Sequence, residues 1–123
     1  MASKLDPIQL VERYVGACKA PAGLAHWRII IEASTKKDVY AEIVRDGDNL
    51  ATIRICPQFW TLDAVEKRVT IAHELMHLHV WALAELVPDT HKKARQDVEE
   101  RVVDTLAEVV APLLPSWRGR SWR

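Results

Sequence analysis

The chain has 123 residues, 49% of them hydrophobic, enough for one domain with a real core. Seventeen basic residues balance seventeen acidic ones, so no global field favours nucleic acid or a membrane surface. No stretch is apolar and long enough to span a bilayer, and Met1-Ala2-Ser3-Lys4-Leu5-Asp6 lacks the apolar run of a secretory signal.

Asp6-Pro7-Ile8-Gln9 combines an N-cap, a proline at the first helical position and a capping-box glutamine. Ile8, Val11, Tyr14, Val15 and Cys18 then share one stripe, which predicts a helix to about Lys19, ended by Pro21 and Gly23. Three β-like runs follow: His26 to Glu32, Val39 to Arg45 and Leu50 to Cys56. Asp46-Gly47-Asp48-Asn49 supplies hairpin-turn chemistry between the last two. Pro57 closes the third run, which suits an edge or late strand.

A second helix is predicted from Thr61 or Asp63 towards Leu86, apolar nearly all round and therefore central and buried. After Pro88-Asp89-Thr90 a third helix carries on to about Ala111, before Pro112 and Pro115. The fold class is α+β: an N-terminal helix, a three-stranded, mainly antiparallel sheet and two C-terminal helices. Cys18 and Cys56 each fall inside regular structure and read as buried thiols, so nothing asks for an oxidising compartment and a cytoplasmic location is expected. The basic Trp/Arg tail, residues 116–123, is expected to be loosely packed; its arginines and tryptophans could grip phosphates or bases.

The second helix carries His73-Glu74-Leu75-Met76-His77. Residues four apart point the same way, about 40° apart in azimuth and about 6 Å apart along the axis. Two imidazoles so placed can reach one zinc ion at about 2 Å. Glu74 then lies beside the metal, where it can take a proton from a zinc-bound water as general base and hand it to a leaving amine.

A third ligand must come from elsewhere. A metzincin would have glycine and histidine where Val80 and Leu83 stand, so that subclass is excluded. His79 faces away from His77 and reads as a surface or hydrogen-bonded histidine, and His91 opens the next helix. A helix returning beside the second regains metal level after about nine residues, which lands on Glu99 and Glu100. Glu99 falls inside the apolar stripe of Val98, Val102, Val103 and Leu106 and is preferred. Glu100 is the alternative, with Asp104 four residues later as a partner for a ligating histidine.

From Leu50 to Pro112 the chain resembles the small gluzincin metallopeptidases, chiefly the ImmA/IrrE-like and phage-encoded minimal forms, with a looser likeness to SprT-like domains. The matching residues are Ala51-Thr52-Ile53-Arg54-Ile55, Thr70-Ile71-Ala72-His73-Glu74-Leu75-Met76-His77-Leu78, and Glu99-Glu100-Arg101-Val102-Val103 with Leu106-Ala107. The resemblance implies a zincin-like domain over residues 1–115 that binds Zn2+ through His73, His77 and a glutamate of the third helix. It also implies that Glu74 acts as base and that the strand before the active-site helix pairs with an extended protein or peptide substrate.

Peptide hydrolysis is the leading expectation. The alternative is a catalytically silent zincin-fold binding or regulatory module, against which the presence of Glu74 argues. A deformylase-like hydrolase ranks third, because its glutamate-glycine-cysteine context is missing around Cys56. A membrane partner is not expected, and nucleic acid is disfavoured because only the tail is basic.

Overall fold

The computed structural model describes residues 5–86 and 88–123. Residues 1–4, part of the segment read above as lacking a secretory signal, lie outside the described residues, as does Val87. Helix α1 spans Pro7–Lys19, strands β1, β2 and β3 span Arg28–Ala33, Ala41–Gly47 and Leu50–Ile55, and helices α2 and α3 span Ala64–Ala84 and Lys92–Val110. No described helix is long and apolar enough to cross a membrane.

The first helix starts as its sequence dictates. The Asp6 carboxylate accepts from the Gln9 amide at 2.9 Å and the Gln9 side chain accepts from the Asp6 amide at 3.1 Å, so two orphan donors are satisfied reciprocally. Val11, Tyr14, Val15 and Cys18 are buried on its inner face. The hairpin between β2 and β3 forms at Asp48-Asn49, with Asn49 at φ 59°, a left-handed conformation that asparagine tolerates.

The sheet is mixed, in the order β1-β3-β2. β2 and β3 form the expected antiparallel hairpin, whereas β1 runs parallel to β3 on its other side. β3 is thus central and not an edge. Pro57 follows the strand and costs it no ladder bond, and Ala51, Ile53 and Ile55 are buried to 2% exposure or less. Strand residues of odd number face the helices, while Thr52 on the other face donates to the Asp46 carboxylate at 2.6 Å.

The Asp63 carboxylate caps α2 by accepting from the Glu66 amide at 2.8 Å. The helix buries Ile71, Ala72, Leu75, Met76, Leu78 and Val80, as expected of a central element. Helix α3 returns beside it and buries Val103 and Ala107.

The C-terminal tail is docked, contrary to the loose packing expected. Trp117 and Trp122 join the core cluster, each meeting the Tyr14 ring edge-on at 4.9 Å between centroids. The Tyr14 hydroxyl donates to the Pro115 carbonyl at 2.7 Å. Burial of large aromatic rings outweighs the solvation of the intervening arginines, which stay at the surface.

Both cysteines are free and buried. Burial pushes the Cys18 thiol up to about 12, the hydrogen bond with Tyr14 opposing only weakly, and burial likewise raises the Tyr14 hydroxyl. A thiol raised in the folded state contributes stability that is fully present below its unfolded pKa, near 9, and is lost as pH rises towards 12. The chemical-denaturation midpoint should therefore fall as pH rises from that unfolded value towards 12. At neutral pH a thiol reagent should modify both cysteines at least about a hundredfold more slowly in native than in denatured protein.

Candidate metal centre

The α2–α3 pair brings together the residues singled out in the sequence. His73 and His77 project from α2 with ring centroids 5.0 Å apart. Across from them, α3 presents Glu99, Glu100 and Asp104, and each carboxylate has a different place.

Glu100 faces both imidazoles. One of its oxygens lies 3.5 Å from His73 Nε2 and the other 3.4 Å from His77 Nε2. Ligand atoms drawn from His73, His77 and Glu100 all lie within 4.8 Å of one another, so the three form a group that could hold a metal ion. These spacings exceed the usual hydrogen-bond range of about 2.7–3.2 Å. Two imidazoles and a carboxylate are a donor set that a divalent ion such as zinc accepts.

The other two carboxylates hold the far side of each ring. His73 Nδ1 is 2.9 Å from an Asp104 oxygen and His77 Nδ1 is 3.2 Å from a Glu99 oxygen. The His77–Glu99 contact is a hydrogen bond, and since an ionised carboxylate only accepts, His77 Nδ1 donates it; the His73–Asp104 contact is a close ion-pair approach. For His77 that donation leaves the Nε2 lone pair directed at Glu100, which is how outer carboxylates orient a histidine that can bind a metal.

The preferred third ligand in the sequence was Glu99; the carboxylate brought into the triad is Glu100, the alternative. Glu99 does lie on the buried side, with 15% of its side chain exposed against 56% for Glu100. That burial places it behind His77, while the position facing the two Nε2 atoms belongs to the open cleft. Asp104, weighed in the sequence as a partner for a histidine of the pair, lies beside His73. His79 points away and its Nε2 donates to the Ala22 carbonyl at 2.6 Å.

Glu74 is the buried acid of the site, 7% exposed. Its pKa is raised to about 8, first by burial and then by the charges of Glu100 and Glu42. It lines a cleft of about 520 Å³ together with His73, His77, Trp81 and Glu100, and Ala41 and Ile43 of β2 form the opposite wall. An ion pair of Arg45 with Glu85 ties β2 to the end of α2.

β2 is one of the sheet's two edge strands, the one that lines the cleft. The Cys56 amide donates to the Tyr40 carbonyl, so even-numbered residues of β2 pair inward. By the alternation of an antiparallel ladder, the main-chain groups of Ala41 and Ile43 point outward along the cleft. The resemblance implied that the strand before the active-site helix, β3, pairs with substrate; β3 has a neighbour on each side, and the exposed edge at the cleft is β2. Of the two tyrosines, Tyr14 is committed to the core, whereas Tyr40 is half-exposed and lines a second hollow with His73 and Glu74.

No protein-family model matches this chain, and no curated protein and no solved structure matches it.

Metal titration followed by elemental analysis should give one ion per chain. His73→Ala, His77→Ala and Glu100→Gln should each abolish binding at stoichiometric metal. Glu99→Gln and Asp104→Asn should lower affinity by about 10–100-fold while retaining the site. Loss of the ion in Glu99→Gln with full retention in Glu100→Gln would reverse the assignment of these two carboxylates.

Proposed function

We propose that this chain is a zinc-dependent peptidase of the minimal gluzincin kind, with His73, His77 and Glu100 as ligands and Glu74 as general base. The observation that carries the reading is Glu74 itself. A carboxyl group buried in a cleft beside a His-His-Glu group, with no part in that group, has no use in a structural metal site. It has a clear use in hydrolysis.

Zinc, when bound, would supply a Lewis acid that acidifies a water and polarises a carbonyl at neutral pH. The other tasks fall to the chain. The Glu74 carboxylate accepts a proton as the water attacks the peptide carbonyl, then delivers it to the departing amine as the C–N bond breaks. A pKa held up by burial favours that second transfer, and a dication held by the triad would draw it back towards the operating pH. The outward main-chain groups of Ala41 and Ile43 would hold an extended peptide as an added strand beside the site. That arrangement fits a protein or peptide substrate.

The deciding test pairs metal content with cleavage of an extended-peptide library. Glu74→Gln should keep its zinc and lose at least about a hundredfold in kcat/KM, the usual size of a general-base contribution. Wild-type activity in Glu74→Gln, or no cleavage of any library member by fully loaded wild-type protein, would overturn the peptidase reading.

A further inference from the structure

Helix α3 has a second apolar face that its own core does not use. Val103 and Ala107 are buried against the rest of the domain, yet on the opposite side Val98, Val102 and Val109 are 58%, 39% and 63% exposed. With exposed Thr105, they fall at residues 98, 102, 105 and 109. The steps of four, three and four are the alternation of a two-stranded helical seam. Such a seam runs about 16 Å along the helix. A contiguous apolar line of this kind is costly to leave in water and marks an interaction surface.

We infer that this face pairs with the same face of a second copy of the chain, antiparallel, about a two-fold axis near residues 103–104. The charges beside the seam select that partner and that direction. Arg101 and Glu108 lie seven residues apart on one flank, both exposed, and among the described residues neither is in an ion pair. In an antiparallel pair this flank meets its own copy, so Arg101 of each chain faces Glu108 of the other, twice by symmetry. A parallel pair would bring Arg101 towards Leu106 and gain nothing.

The shape of the surface agrees. The same axis sets Val109 over Val98 and brings Leu113, 68% exposed, towards Ala94. There a cavity of about 310 Å³, walled by Val80, Ala84, Ala94, Val98 and Val102 with Arg95 and Glu99 at its sides, offers an aliphatic side chain a largely apolar surface. The seam is short, so the interface belongs to the small class and the dimer is a weak one, forming in the micromolar range. The inference is independent of the metal centre, whose ligands lie on other faces of α3.

Sedimentation equilibrium of the full chain, from low-micromolar to sub-millimolar concentration, should show the mass rising from 14.0 kDa towards twice that value. Val98→Asp should hold the protein at the monomer mass with its thermal midpoint and metal content unchanged, since the site is exposed. Arg101→Glu and Glu108→Arg should each weaken self-association by about tenfold or more. An equimolar mixture of those two variants should regain the dimer, because the mixed pair places glutamates of one chain against arginines of the other. A monomer at every concentration in the wild type, a dimer that persists in Val98→Asp, or no recovery in the mixture would each overturn the proposal.

Discussion

The register between α2 and α3 is the constraint on which the rest of the site depends. His73 and His77 are one helical turn apart, and so are Glu100 and Asp104 on the facing helix. The two turns are aligned so that one carboxylate sits before both rings while Asp104 and Glu99 sit behind them. A shift of one residue along α3 would rotate each acid by about 100° and dissolve the arrangement. The register is held by the buried contact of Val103 and Ala107 with the core, by the α3 end packed through Ala111 and Leu114, and by α2 pinned against β2 through Arg45 and Glu85.

Helix α2 meets two demands that ordinarily conflict. Its sheet side is dry, with Ile71, Ala72 and Leu75 fully buried, and the same turns deliver two imidazoles and an acid to a cleft. Glu74 is the point of conflict, a buried carboxyl group on a helix whose other buried residues are apolar. Its raised pKa records the cost of that placement. β2 supplies the facing wall of the cleft through Ala41 and Ile43.

Local features were legible in the sequence because local chemistry decides them. Asp6 and Gln9 cap α1 as their types and spacing dictate, Asp63 caps α2, and Asn49 turns the hairpin. The histidine spacing needed nothing beyond helix geometry. What was not legible is pairing at a distance. The parallel contact of β1 with β3 joins strands separated by the whole of β2, and no residue in either announces it. The choice between Glu99 and Glu100 has a related reason: the apolar stripe that favoured Glu99 includes Val98 and Val102, which the fold leaves exposed, while the carboxylate grouped with the two histidines is Glu100. In the tail, Trp117 and Trp122 are five residues apart in irregular chain, so no periodicity marked them as core.

The docking of that tail has a kinetic side. Tyr14 and Pro115 are 101 residues apart, and their hydrogen bond closes a loop that contains every strand and both long C-terminal helices. Contacts of such sequence separation form late, since the entropy of closing the loop must be met before they return anything. The α2–α3 hairpin, joined by a short turn at Pro88, has no such delay. The order of assembly then runs from the α2–α3 pair outward, with the aromatic cluster around Tyr14 closing last. Substitutions in that cluster should act chiefly on how fast the folded chain comes apart, and little on how fast the helical pair first forms.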